Sequence, residues 1–317
     1  NQEGQINIDA TAEDGPEHLT VINGYVSPKR NYIDLGIEAN NTSLKFMENF
    51  CGSFMNNVEA WCKGKLNVVG DLKNINLVGD VVAHGRMHMK QLGTDYTFNH
   101  LRAHAIPDDI QFEGDSIYDS HYNGKHSHFA LIRGGIHHKH LTRLSYDLDI
   151  DANNFLGFDT HEFGDDTFYG TVFATGTVGI HGKSGETIPD AISAGSFIHW
   201  NDATPYIYRP YSPDNDKDKK KDSSSDFSSD MRINFLVNTN PNLTLKLMMD
   251  DQTGDYITLN GNGVIRANYY NKGGLDMFGN YVVDHGQYKL TIQNIIKKDF
   301  DFQPGGTIAF GGDPYNA

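Results

Sequence analysis

Histidine and aspartate are the residues of this sequence whose types and spacing bear most on chemistry. There are fifteen histidines in 317 residues, and ten of them fall between His84 and His140. Imidazole is the commonest metal ligand, and the pairs His126/His128 and His138/His140 would each share one face of a strand. A metal centre needs a fixed ligand spacing, whereas these histidines stand in polar, loop-like contexts such as His121-Tyr-Asn-Gly-Lys-His126. Solvated histidines on a partly pH-sensitive surface are therefore expected. Paired acids occur at Asp108-Asp109, Asp165-Asp166 and Asp250-Asp251. A glycoside hydrolase needs two carboxylates held across a cleft, one with a raised pKa, but adjacent residues of a strand point to opposite faces. Each pair lies in or beside a turn-like stretch, so turn chemistry is the expected role. The two cysteines, Cys51 and Cys62, are too few for a disulfide framework or a zinc site, and a mutual bridge stays open. Nucleophile-elbow, zinc-helix, phosphate-loop and dinucleotide motifs are all missing from the sequence. No catalytic residue, metal or cofactor follows, and the chain is not expected to be an enzyme.

The elements that must carry these residues read as strands. Alternation recurs along the chain: Ile6/Ile8, Leu148/Ile150, Leu243/Leu245/Leu247, Ile257/Leu259, Tyr288/Leu290/Ile292 and Phe300/Phe302 each face polar neighbours one residue away. A period of two with one apolar and one wet face predicts half-buried strands. Many short strands and very little helix are expected, with one short helix near Phe46–Cys62, where apolar residues approach helical spacing. Asn262-Gly263, Lys272-Gly273-Gly274, Phe278-Gly279-Asn280, Asp284-His285-Gly286 and Gly305-Gly306 read as turns, and Gly261-Asn-Gly263 as no more than one. These predict antiparallel hairpins toward the C-terminus. Residues 64–85 repeat Gly-Asp nine residues apart, at Gly70-Asp71 and Gly79-Asp80, which suggests stacked rungs.

Domain organisation follows from the same pass: a β-rich, rung-like region over 1–211, a charged disordered loop over 212–230, and a β region over 231–317 continuous with the first. The net charge of −15 disfavours nucleic acid, which demands a concentrated basic face. No run of 18 apolar residues occurs, and the start Asn1-Gln2-Glu3-Gly4 carries no export signal. A signal or membrane anchor is expected in a longer parent sequence.

Three C-terminal stretches carry a resemblance. They are Thr258-Leu-Asn-Gly261-Asn-Gly263, Gly279-Asn-Tyr281-Val-Val-Asp-His-Gly286-Gln-Tyr288 and Phe300-Asp-Phe-Gln-Pro-Gly305-Gly306-Thr-Ile-Ala-Phe-Gly311-Gly312-Asp-Pro314. In this order they resemble the signature of the TamB C-terminal domain. Gly64–Asn74, Leu77–Val81, Leu92–Phe98 and Phe168–Ile180 resemble TamB proteins of Bacteroidetes, so the likeness spans roughly residues 60–317. It implies an elongated all-β half-pipe, or β-taco, of stacked strands with an apolar concave face. It also implies a periplasmic protein of a Gram-negative bacterium, in the AsmA-like, bridge-like lipid-transfer class, anchored in the inner membrane by an N-terminal helix. Its implied partners are phospholipid or nascent outer-membrane protein strands as cargo and a TamA-like outer-membrane barrel.

Chosen by alternation alone, the groove candidates are Leu243, Leu245, Leu247, Ile257, Leu259, Leu290, Ile292, Phe300 and Phe302. The same residues would equally close an ordinary sandwich or barrel core. A different class of function, a secreted β-protein that binds or cleaves polysaccharide, is suggested by the aromatic stretches Ile198-His-Trp200-Asn-Asp202 and Tyr206-Ile-Tyr208-Arg-Pro-Tyr211.

Overall fold

The computed structural model describes residues 4–314 apart from 14, 16, 52–54, 91, 141, 161–167, 184–185, 191–197, 201–204, 209–231, 251–252, 271–273 and 293–295. The loop expected at 212–230 and the acids Asp165 and Asp166 lie outside the described residues, as do the side chains of Trp200, Tyr206 and Tyr208.

The chain is all-β, and its strands join one sheet of 19 that does not close into a barrel. The first ten form a meander in which each pairs antiparallel with the next. They are β1 Ile6–Glu13, β2 Leu19–Ser27, β3 Tyr32–Ser43, β4 Met55–Asp71 and β5 Asn74–Met89, then β6 Thr94–Ile106, β7 Asp109–Asp119, β8 Phe129–Lys139, β9 Thr142–Thr160 and β10 Phe168–Lys183. Three short strands continue from β10: β11 Glu186–Asp190, β12 Ile198–Trp200 and β13 Pro205–Tyr208. They pair parallel with β14 Arg232–Thr239 and β15 Thr244–Asp250. Both of these lie along β16 Asp255–Tyr270, which pairs with β17 Gly274–Ile292. β18 Ile296–Asp301 and β19 Thr307–Gly312 share the far side of β17.

Several sequence expectations need correction. The strands are not uniformly short, since β4, β9 and β17 run for 17, 19 and 19 residues. Asn262-Gly263 lies inside β16, and Phe278-Gly279-Asn280 and Asp284-His285-Gly286 lie inside β17; Gly261-Asn-Gly263 is therefore strand, not turn. Glycine in a strand marks a kink or a close backbone approach as often as a turn. Gly305-Gly306 does fall outside the strands, between β18 and β19, while Gly274 opens β17 and Lys272 and Gly273 lie outside the described residues. The helix expected over Phe46–Cys62 shrinks to one turn, α1 Glu48–Cys51, before β4 begins at Met55, because Val58, Ala60 and Cys62 bury one face of a strand.

The Gly-Asp echo of residues 64–85 is an antiparallel pair, not two parallel rungs, with Gly64 opposite Val81 and Gly79 opposite Leu66. Gly64 and Gly79 have φ of +149° and +133°. A Cβ at Gly79 would lie 2.2 Å from the Lys65 carbonyl oxygen, and one at Gly64 2.1 Å from that of Asp80. Only glycine permits strands to approach this way, kinking the sheet.

Bulges bend it further. The register slips on β3 at Ala39/Thr42, on β4 at Asn56/Glu59, between β5 and β6 at Ala83/Gly85, on β7 at Glu113/Asp115, and twice against β10 at Phe173 and Gly176. Asn41, Asn57 and Asn154 occupy these slips with positive φ, a conformation asparagine tolerates better than other side chains. Most slips lie in the half of each strand that runs toward one rim of the sheet, where the walls turn inward.

Candidate functional site: an apolar groove

Pleating sends alternate side chains to opposite faces, so cross-strand partners line up in rows. One such row runs Ile22, Ile37, Leu66, Gly79, Ala105, Ile110, Ile136 across β2 to β8. Seven strands at about 4.8 Å spacing give it a length of about 29 Å. Ile22, Ile37, Leu66, Ile110 and Ile136 are only half-buried, so this stretch of the face keeps part of its apolar surface in reach of solvent.

The opposite face carries charge. Lys65 Nζ lies 3.3 Å from Glu38, Arg102 grips Asp115 at 3.0 Å and Glu113 at 3.2 Å, and Asp80 meets His104 at 2.6 Å. His137–Asp109 at 2.9 Å and His181–Asp147 at 2.8 Å repeat the arrangement. His104, His137 and His181 thus serve as cross-strand partners of aspartates on the wet face. Among the described residues no three His, Cys, Asp or Glu side chains converge as a metal site. Burial alone would push the Asp115 carboxyl up, but the hydrogen bonds and charge of Arg102 outweigh it and hold Asp115 below the usual carboxylate range.

At the bulged rim the apolar face fills itself. Ala60, Ala83, Ala130 and Ala152 are buried and small, which leaves room above them for larger rings. Tyr96 of β6 and Phe155 of β9 stack there with centroids 4.7 Å apart, although β7 and β8 lie between their strands. The Tyr96 hydroxyl donates to the Leu156 carbonyl at 2.8 Å, and burial, aided by the charge of Asp119, pushes its pKa up and keeps it a donor. Cys62 is a buried free thiol on the same face, its pKa also raised by burial; the Cys51 side chain lies outside the described residues.

A second apolar cluster occupies the C-terminal strands: Leu245, Leu259, Ile265, Met277, Tyr281, Val283 and Phe310. Of the nine groove candidates, Leu245 and Leu259 belong to it and Ile257 and Phe302 pack against it. Leu245 faces Leu259, which faces Gly286, whose carbonyl accepts the Phe302 N–H at 2.9 Å. The next row is Leu247, Ile257, Tyr288 and Phe300. Leu243, Leu245 and Leu259 are buried, Ile257, Leu290 and Phe302 are half-buried, and Phe300 is 49% exposed. The side chains of Leu247 and Ile292 lie outside the described residues. Sequence reasoning missed the larger surface over β2 to β8, although Val81/Ala83 and Ala103/Ala105 carry the same alternation. It also missed Tyr281, which is 1% exposed. Its ring lies against Gly261 and Gly263, where a Cβ would come within 2.9 and 3.0 Å of it. The Gly-x-Gly and Gly-x-Tyr motifs are thus two halves of one packing device, an aromatic ring laid over bare backbone.

An open sheet, apolar along one face and lined with ion pairs along the other, defines a β half-pipe. The chain belongs to the TamB family: the model of the TamB C-terminal domain matches residues 123–317. No curated protein and no solved structure matches it. Family membership implies an envelope-associated protein involved in TAM-type outer-membrane assembly or lipid transport, and the family works with a TamA-like partner in the outer membrane. No helix among the described residues is long and apolar enough to cross a membrane.

Proposed function

We propose that this chain is a non-enzymatic stretch of conduit whose apolar face shields phospholipid acyl chains as they cross the periplasm. The observation that carries this reading is the row from Ile22 to Ile136, continuous over seven strands, whose aliphatic side chains are only half-buried. Each acyl methylene moved from water onto such a surface gains about 0.8 kcal/mol, so a partly covered chain is retained without any polar contact. Leu243, Leu245, Leu247, Ile257, Leu259, Leu290, Ile292, Phe300 and Phe302 extend the groove through the C-terminal strands, making residues 1–211 and 231–317 parts of one path. In the parent protein an N-terminal helix anchors this path in the inner membrane, and a TamA-like barrel receives its far end.

The test is organic extraction and mass spectrometry of lipids from the protein purified without detergent, beside a Leu66→Asp/Ile150→Asp variant. Both residues are half-buried on the apolar face, so a charge there burdens the groove more than the fold. Near-stoichiometric phospholipid in the parent and its loss from the variant are expected. Absence of lipid from the parent would overturn the reading in favour of nascent outer-membrane strands as cargo.

A further inference from the structure

The bulged rim holds a charged group that groove lining alone does not call for. Asp119, at the end of β7, is 2% exposed, and its side chain is wholly buried. One carboxylate oxygen accepts the His121 N–H and the other accepts the Leu156 N–H, both at 2.7 Å. His128 Nδ1 stands 3.3 Å from it and His121 Nδ1 3.9 Å. Leu156 is therefore held twice by strands that are not its neighbours, its N–H by Asp119 of β7 and its carbonyl by Tyr96 of β6. Three residues on, the Asp159 N–H donates to the Leu92 carbonyl at 2.7 Å, just ahead of β6. The C-terminal end of β9 is thus tied to β6 and β7 across the strands that lie between. A buried carboxylate is a costly fastener, because an apolar residue of similar size makes the contact without desolvation. It is also a separable one, since its loss leaves the Leu156 N–H buried and unpaired.

We propose that Asp119 and Tyr96 are positioning residues that hold this rim shut, so that acyl chains enter the groove only from the opposite rim, methyl end first. This rests on the conduit reading. The deep end of the path is then Phe98, Phe155 and Ile117, all buried and apolar, while the headgroup stays in water at the open rim, where β5, β7 and β9 begin.

The experiment uses two phosphatidylcholine photoprobes, one with a diazirine at the acyl terminus and one with it in the headgroup, each crosslinked to the purified protein and mapped by mass spectrometry. In the parent the acyl probe labels the bulged rim around Phe98 and Phe155, and the headgroup probe labels the other rim. In Asp119→Ala and Tyr96→Phe this sorting is lost, and maleimide labelling of Cys62 speeds up by about tenfold or more as the rim opens. Tyr96→Phe keeps the ring and removes only the hydroxyl, which guards against a variant that merely fails to fold. The proposal is overturned if the probes label both rims equally in the parent, or if the variants leave sorting and Cys62 reactivity unchanged. Failure of the conduit reading looks different: neither probe then labels the parent.

Discussion

Replacing Tyr281 with alanine tests whether the motifs of the C-terminal strands are packing devices. The ring is 1% exposed and belongs to the cluster of Leu259, Ile265, Met277, Val283 and Phe310. Removing a large buried aromatic costs about 3–5 kcal/mol, because the lost transfer energy is joined by a cavity the surroundings only partly fill. Here relaxation is limited further: Gly261 and Gly263 beneath the ring have no side chains to move into the space. At about 1.4 kcal/mol per decade, local opening of β16 and β17 should rise by roughly a hundredfold or more. Native-state amide hydrogen exchange reads this residue by residue. Faster exchange confined to β14 through β19, with β2 to β8 unchanged, is the expected result. A loss below about 1 kcal/mol, or one spread evenly over the sheet, would refute the argument.

Gly79→Ala should cost about 1–3 kcal/mol through backbone strain, because φ is +133° and the new methyl would meet the Lys65 carbonyl at 2.2 Å; the thermal midpoint reads it. Asn260→Asp should destabilise by about 1–3 kcal/mol in chemical denaturation, since the Asn260 amide donates to the Pro241 and Leu243 carbonyls and to Thr244 Oγ1, and a carboxylate cannot. The folded pKa of Asp115 is depressed, so its contribution is complete above the unfolded carboxylate range and is lost as pH falls through the folded value. In Arg102→Leu this acid-linked contribution is absent, so the variant should be less stable than the parent at neutral pH and the gap should narrow as pH falls through the folded value; chemical denaturation at a series of pH values checks it.

The fold class was legible because alternation survives any register: Leu148/Ile150 and Leu245/Leu247 read as strand, and they are strand. Strand length was not legible. Gly261, Gly263, Gly279 and Gly286 look like punctuation locally, and only the neighbouring strand shows why each is there: a Cβ would meet a carbonyl oxygen of β16 or β17 at 2.2 to 2.8 Å. The candidate surface was legible where apolar residues alternate in long runs, as in Leu243–Leu247. It was hidden where glycine and alanine replace them, as in Gly79 and Ala105, since small residues mark an inner face only once their partners are known. Asp119 could not have been found from sequence at all, because its partner is the backbone of Leu156, 37 residues away.

An apolar-faced sheet of this size has a ready alternative, which is to roll up and bury its own face. The two rims show how the protein divides that tendency. Toward the bulged rim, alanines at 60, 83, 130 and 152 cluster with Tyr96, Phe98 and Phe155, so the protein supplies its own filling there. Away from it the aliphatic side chains of the row from Ile22 to Ile136 are only half-buried. Bulges and kinks such as those at Gly64 and Gly79 bend the sheet along its length. The Arg102–Asp115 and His–Asp pairs keep the other face wet, which removes the choice of folding the sheet the opposite way. A groove held open by backbone geometry is one that cargo can enter and leave without the protein having to unfold its core.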